Sequence, residues 1–267
     1  MNDFPETEHL LFDTHAHYDD ERFDPDRDEV ISSLLPNGIG WAVDVGCSFD
    51  SIPKAFELTR KHENLYFSVG FHPNDTGAAR EYGVEPSLDL LRSYLKDEKC
   101  VAIGEIGLDY HWDDVSREVQ KEWLALQLDL AVETGYPVII HDREAHGDIM
   151  DILRSYKGVT GILHSFSGSP EMAAELVKMG WYISFSGVLT FKNAARLPEV
   201  ARMVPTDRML LETDCPYLAP HPKRGERNSS LLMRYTAMKL AEIKGLSYGQ
   251  VCALTTENAK RIYRLEK

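Results

Sequence analysis

Leu10-Leu11-Phe12-Asp13-Thr14-His15-Ala16-His17 is the stretch on which the reading of the fold turns. An apolar run leading straight into His-x-His reads as a strand whose last residues leave the core and carry ligands. Side chains on a strand repeat with period 2, so His15 and His17 point to the same side. Two imidazoles about 7 Å apart on one strand face can hold one divalent metal, because neutral imidazole is the commonest protein metal ligand. Surface and core histidines show the same spacing, so His-x-His alone is a weak signal. Its weight depends on which residues end the other apolar runs.

Seven more short apolar runs lie along the chain: Gly40–Val45, Leu65–Gly70, Cys100–Gly104, Pro137–Ile140, Thr160–Leu163, Trp181–Phe185 and Arg208–Leu211, after a first run at His9–Asp13. Segments with helical spacing lie between them. Asp26–Leu35 stops at Pro36-Asn37-Gly38, and Ser51–His62 and Ser87–Lys96 are amphipathic. In Ser116–Thr134 the residues Val119, Trp123, Leu126 and Leu130 form one apolar stripe, closed by Gly135 and Pro137. Ser169-Pro170-Glu171 opens a helix over Met172–Met179, and Ser247-x-x-Gln250 reads as a capping box. Strict alternation of about eight strands with helices predicts a parallel sheet covered by helices. At 267 residues, the expectation is an α/β fold: a TIM-type (β/α)8 barrel forming a single domain over residues 1–267. An open doubly wound sheet is the alternative, weakened by the lack of a Gly-rich phosphate loop after the first strand. There is no internal repeat or linker, and Pro216–Ser230 reads as a loop beside the last strand.

Composition narrows the class. Apolar residues at 43% and charged ones at 27% are those of a soluble globular chain, and no apolar run approaches the ~18 residues of a membrane span. Met1–Glu6 lacks the basic and apolar regions of a signal peptide. Cys47, Cys100, Cys215 and Cys252 form no Cys-x-x-Cys pair and read as reduced thiols, so the expected location is cytoplasmic, with no membrane partner. The 29 basic and 43 acidic side chains give a formal charge of −14, which argues against coating nucleic acid through a basic surface. An enzyme acting on phosphodiesters is still allowed, since bound metal supplies local positive charge.

In a barrel the C-terminal strand ends converge on one mouth, where the chemistry sits. Those ends carry His15 and His17, then His72, Glu105, His141, His164 and Asp214. Each alone has a bland reading as a loop hydrogen-bonder or helix cap. Together, leaving His72 aside, four imidazoles and two carboxylates make a ligand set for two divalent ions. Two ions ~3.5–4 Å apart normally need a bridging carboxylate, and Glu105, on a middle strand, is the natural bridge.

Asp13-Thr14-His15-Ala16-His17, Gly70-Phe71-His72-Pro73, Gly104-Glu105-Ile106-Gly107-Leu108-Asp109-Tyr110, His141-Asp142-Arg143-Glu144-Ala145, His164-Ser165-Phe166-Ser167-Gly168 and Glu212-Thr213-Asp214-Cys215-Pro216-Tyr217 resemble, in order, the motifs of the TatD-type deoxyribonucleases. That family is a branch of the metal-dependent amidohydrolase superfamily, and the resemblance covers nearly the whole chain. It implies a TIM-type barrel with a two-metal site. By residue matching, His15, His17, Glu105 and Asp214 would hold the first ion, and Glu105, His141 and His164 the second. Family members often carry Arg-Asn-Glu-Pro after the last strand, where this chain has Arg227-Asn228-Ser229-Ser230. The related phosphotriesterases and dihydroorotases bridge their metals with a modified Lys on strand 4, a position with no Lys here.

The expected activity is therefore metal-dependent phosphodiester hydrolysis on single-stranded DNA ends. Two ions of Zn, Mn, Mg or Ni would activate water, with Asp214 as general base and Glu105 as bridge. His72, Arg143 and Arg227 are the candidate substrate contacts. Arg143 has a phosphate contact or a salt bridge open to it, and His72 a substrate contact or a structural hydrogen bond. Asp13 and Glu212 share the direction of the ligands beside them and are candidate supporting groups. His111 and Trp112 lie where they would stack on a base, a packed loop aromatic being the plainer reading of Trp112. Rival readings are an amide or ester hydrolase of the same architecture, cleaving an aminoacyl-tRNA ester or a cyclic amide, and a non-catalytic scaffold. Motifs fix neither the oligomeric state nor the polarity of cleavage.

Overall fold

A computed structural model describes residues 5–265, so Met1–Phe4, on which the signal-peptide reading partly rests, lie outside the described residues. Eight strands form one parallel sheet in chain order: β1 (Leu11–Ala16), β2 (Ile39–Gly46), β3 (Leu65–Val69), β4 (Cys100–Asp109), β5 (Val138–Arg143), β6 (Gly161–Leu163), β7 (Tyr182–Phe185) and β8 (Met209–Leu211). The segment after β8 returns to β1. Ala16 bridges Cys215, the Asp214 N–H donates to the His15 carbonyl at 2.9 Å, and the His17 N–H donates to the Cys215 carbonyl at 2.8 Å. These bonds bring the sheet round into the nearly closed TIM-type barrel that the alternation predicts. No helix among the described residues is long and apolar enough to cross a membrane.

The helices are α1 (Arg27–Ser32), α2 (Ser51–Lys61), α3 (Thr76–Tyr82), α4 (Val84–Tyr94), α5 (Arg117–Thr134), α6 (His146–Ser155), α7 (Pro170–Lys178), α8 (Leu197–Met203), α9 (Met233–Lys244) and α10 (Tyr248–Ile262). The cap signals hold: Ser116 and Ser169 accept from Val119 and Met172 N–H groups, and Ser247 with Gln250 forms a complete capping box. Such caps are each worth about 1 kcal/mol. The first helix is shorter than expected, because the chain passes into a 3-10 turn at Leu35–Asn37 that ends at left-handed Gly38. α3, α8 and α9 have no counterpart among the segments with helical spacing.

α5 departs from its apolar stripe in an informative way. Its buried face is Gln120, Trp123, Leu124, Gln127, Leu128, Leu130 and Ala131, whereas Val119 and Leu126 are only partly buried. The two glutamines clasp backbone. Gln120 accepts from the Asp109 N–H at 2.8 Å and donates to its carbonyl at 2.9 Å; Gln127 does the same for Phe71, at 2.7 and 3.2 Å. A buried amide left unpaired costs ~1–3 kcal/mol, so each clasp fixes the chain at the end of β4 or just beyond β3.

Two buried clusters divide the core. The larger lies between strands and helices, and includes Leu11, Ile39, Phe67, Ile106 and Trp123. The smaller takes Phe12, Val43, Val45, Val101, Ile139, Ile162, Tyr182 and Leu210 from the strands and Ala259, Ile262 and Tyr263 from α10 and its end. Alternation along the strands makes this second set the barrel filling. The Tyr263 hydroxyl donates to the Thr14 carbonyl at 2.8 Å and Asn258 donates to that of Met209 at 2.9 Å, which ties α10 across the β8–β1 seam.

Candidate metal centre

The strands deliver the expected residues to one place by two routes. In β5 and β6, His141 and His164 stand two residues beyond the barrel-filling Ile139 and Ile162, so plain alternation turns them inward. β1 and β4 carry irregularities instead. The β1–β2 register shifts between Asp13 and Ala16, and the β4–β5 register shifts between Ile103 and Ile106. Strand 4 does not stop at Gly104 as its apolar run suggests; it bulges there and continues to Asp109. The bulge carries Glu105 into the cluster, and two glycines permit it. A Cβ on Gly104 would lie 2.6 Å from that of Ile139, and one on Gly107 (φ +150°) would overlap the His141 carbonyl.

The Glu105 carboxylate divides its neighbours. Oε2 lies 3.3 Å from His15 Nε2 and 3.9 Å from His17 Nε2, while Oε1 lies 2.6 Å from His141 Nδ1 and 2.8 Å from His164 Nε2. Asp214 Oδ1 completes the first side, 3.7 Å from His15 Nε2 and 3.5 Å from His17 Nε2. Within each side the imidazole nitrogens face each other, His15 Nε2 to His17 Nε2 at 3.1 Å and His141 Nδ1 to His164 Nε2 at 3.2 Å. Ligands about 2.0–2.1 Å from a tetrahedral ion stand about 3.3 Å apart, which these separations suit. Among the described residues no Lys or Arg forms an ion pair with Glu105 or Asp214. Converging acceptors without a resident cation fit a divalent ion.

Protons shared among these side chains offset the clustered charge. Burial works against the charge on Glu105, but the imidazoles of His164, His15 and His141 hold its carboxyl well below the ordinary range. Burial likewise opposes a proton on His17, yet Asp214, Asp19 and Glu105 raise that imidazole to about 10. His164 is also raised, by Glu105 and Glu212 against burial, whereas burial and its neighbour His164 lower His15.

A ring of supporting groups orients the cluster. Asp109 Oδ2 lies 3.2 Å from His141 Nε2, which turns Nδ1 of that ring toward Glu105. Glu212 Oε1 accepts from the Ser165 N–H at 2.6 Å and lies 3.3 Å from His164 Nδ1. Asp109 received no role from the sequence, although strand parity puts it on the Glu105 side. Asp13 faces elsewhere than His15 and His17. The irregular register of β1 turns it to the seam, where it accepts from the His15 and Thr213 N–H groups and from the hydroxyls of Thr213 and Ser230. Asp214 itself is left-handed (φ +56°), a conformation costing a non-glycine residue ~1–2 kcal/mol. These seam bonds hold the backbone around it.

His72 reaches the rim of the cluster, Nε2 3.9 Å from Glu105 Oε1, while its Nδ1 accepts from the Asn74 N–H at 3.2 Å. Burial and the adjacent His141 lower it to about 3, so the ring is neutral. Arg143 stands exposed at the end of β5, and no carboxylate pairs with its guanidinium among the described residues. Arg227 is held away from the cluster, by two bonds to Asp26 of 2.7 and 2.6 Å and one to the Arg22 carbonyl of 2.7 Å. Trp112 is not packed: it is half exposed, edge-on to His111.

Comparison with known proteins shows which family the chain falls in. The family model for TatD-related DNases matches residues 12–264. The chain belongs to that family. It is 42% identical, over 96% of its length and 100% of the relative's, to the uncharacterized metal-dependent hydrolase YabD of Bacillus subtilis (strain 168). It is 31% identical, over 95% of its length and 97% of the relative's, to the 3'-5' ssDNA/RNA exonuclease TatD of Cronobacter sakazakii (strain ATCC BAA-894). The crystal structure of YJJV, a TatD homolog from Escherichia coli K12, superposes with a TM-score of 0.87 at 27% identity, covering 95% of this chain and 98% of that one. This TatD-family chain is thus a metal-dependent hydrolase, and its His, Glu and Asp clusters are groups that could bind the metal.

Proposed function

We propose that the protein is a two-metal nuclease that removes nucleotides from single-stranded DNA ends in the cytosol. The observation that carries the reading is the division of Glu105, one oxygen facing each imidazole pair. His15, His17, Asp214 and Glu105 Oε2 would hold one ion, and His141, His164 and Glu105 Oε1 the other. When bound, such ions would lower the pKa of a water toward neutrality and offset the charge that builds on a phosphoryl oxygen. The remaining work falls to side chains. Asp214, partly buried and held ionised by His17, His15 and His164 despite that burial, orients the attacking water and takes its proton. Asp109 and Glu212 hold two imidazoles with the ligating nitrogen inward. His72, whose Nδ1 is occupied, presents Nε2–H to the substrate. Arg143 offers a planar pair of donors for a phosphate.

DNA, rather than an amide or ester, is supported by the unpaired Arg143 and by the name of the Cronobacter relative. The test is cleavage of end-labelled single-stranded DNA by metal-stripped protein, with magnesium, manganese or zinc restored and Glu105→Ala alongside. Metal-dependent laddering from one end, absent in the variant, is expected. Intact DNA with all three metals would move the substrate to amides and esters.

A further inference from the structure

Among the described residues, three large aromatic side chains are exposed: Tyr82, Trp112 and Tyr217. Two of them carry a guanidinium. Arg22 lies over Tyr217, its Cζ 4.0 Å from the ring centroid, and Arg143 lies over Trp112 at 5.7 Å. Sequence-adjacent contacts do not explain either pair, since each joins two different segments of the barrel mouth. Arg22 and Tyr217 come from the loops after β1 and β8, whereas Trp112 lies beyond β4 and Arg143 ends β5. In an eight-stranded barrel ordered β1 to β8, the β8–β1 and β4–β5 seams are diametrically opposed. The Glu105 cluster therefore sits between the two pairs.

Both aromatics are held in place. The Tyr217 hydroxyl donates to Asp20 Oδ2 at 3.1 Å, the same Asp20 binds Arg22 through two bonds of 3.0 Å, and the ring meets His17 edge-on at 6.3 Å. Arg227 ties the Arg22 carbonyl to the loop after β8, so its grip on Asp26 also fixes this pair. Trp112 packs edge-on against His111 at 4.8 Å, and His111 is anchored by Glu144 at 2.9 Å. A ring half exposed yet fixed suits a ligand with a flat apolar face and an anionic edge. That is the chemistry of a nucleotide, whose base stacks on the ring while its phosphate meets the Arg143 guanidinium, Arg22 being already paired with Asp20. Tyr82 lies 5.0 Å from the Phe49 ring, and among the described residues no cation lies over it.

We propose that Tyr217 with Arg22 and Trp112 with Arg143 are two stacking platforms for the bases on either side of the bond that is cut. The proposal rests on the nuclease reading and names how that substrate is gripped. Because every base has a π-face, the grip is indifferent to sequence. On a chain of charge −14, it concentrates binding at the mouth without a basic surface.

The experiment compares Tyr217→Ala, Trp112→Ala, Tyr217→Phe, Trp112→Phe and Tyr82→Ala with wild type, metals restored. Substrates are a thymidylate dodecamer and the same strand with base-free tetrahydrofuran residues at its last two positions. Stacking is worth about five- to 150-fold per base, so both alanine variants should raise KM about tenfold or more with kcat within about twofold. The phenylalanine variants should recover most of that loss, and Tyr82→Ala should match wild type. On the base-free strand the wild-type KM should rise to that of the alanine variants, which should lose little more. Unchanged KM in both alanine variants, equal losses on the two strands, or an equal loss in Tyr82→Ala would each overturn the platforms while leaving the nuclease intact. A wild-type enzyme that cleaves neither strand would remove both readings together.

Discussion

The cluster is assembled by two kinds of strand, and they differ in how sequence becomes geometry. β5 and β6 are regular: Ile139 then His141, Ile162 then His164, with the filling residue and the ligand two apart on one face. β1 and β4 are irregular, and their register shifts lie beside His15 and Glu105. Regular strands supply the imidazoles on one oxygen of Glu105; the irregular ones supply Glu105 itself and the imidazole at 3.3 Å on its other side. A carboxylate that must reach across the barrel axis is delivered by a local break in pleating, and the break needs glycine where β5 presses against β4.

The largest effect should therefore come from Gly107→Ala. Its φ of +150° and the overlap of a Cβ with the His141 carbonyl leave no room for relaxation within the sheet. A loss of about 3 kcal/mol or more in urea unfolding is expected, together with loss of metal retention. Ile139→Val, on the regular neighbour, should cost only about 0.5–1.5 kcal/mol. Wild-type stability and metal content in Gly107→Ala would mean that the bulge does not hold Glu105.

Next come the groups that orient imidazoles. Asp109→Asn and Glu212→Gln remove charge opposite His141 and His164 without removing a ligand. Outer carboxylates of this kind are worth about 10- to 100-fold in metal affinity, read here by competition with a chromogenic chelator. Undiminished affinity in both would assign these acids to packing alone.

The legibility of the sequence divides along the same line. Strand order, the barrel and the convergence of His15, His17, Glu105, His141, His164 and Asp214 are legible because apolar runs and alternation govern most of the sheet. The extent of β4 is not, since Gly104 and Gly107 look like a strand end unless the close approach of β5 is known. Asp13 is misdirected for the same reason: counting by twos through an irregular strand gives the wrong face. Gln120 and Gln127 are hidden because a polar residue on a helix reads as exposed until its backbone partners, Asp109 and Phe71, are in view. Trp112 reads as packed, and its exposure depends on a loop contact with His111 that composition does not encode.

The proton content of the cluster gives a third test, of intermediate size. In the metal-free chain His17 is raised to about 10 and His164 is raised as well, so both hold protons at neutral pH that an ion must displace. Metal affinity should rise with pH between 6 and 8, by up to about tenfold per unit for each proton released. Calorimetry in buffers of different ionisation enthalpy reads that release directly. Affinity independent of pH would show that the two imidazoles are already neutral.

The smallest effect is expected five residues beyond His141, and it has the opposite pH signature. His146 opens α6, where its Nδ1 lies 2.7 Å from Asp142 Oδ2, half in solvent and away from the Glu105 cluster. The Asp142 hydrogen bond raises this imidazole above its usual value, against partial burial. A raised folded-state pKa stabilises fully below the unfolded value of about 6.5, and the benefit fades as pH rises through the folded value. Solvent screening at so exposed a site keeps the contribution under about 1 kcal/mol. His146→Ala should therefore lower the urea midpoint slightly at pH 5.5, lose that difference at pH 9, and leave metal content unchanged at either pH. A deficit that persisted at pH 9 would make His146 a packing residue of α6. A loss of metal would mean that the start of α6 also reaches the Glu105 cluster, and that the regular strands are not the sole source of side chains on that side.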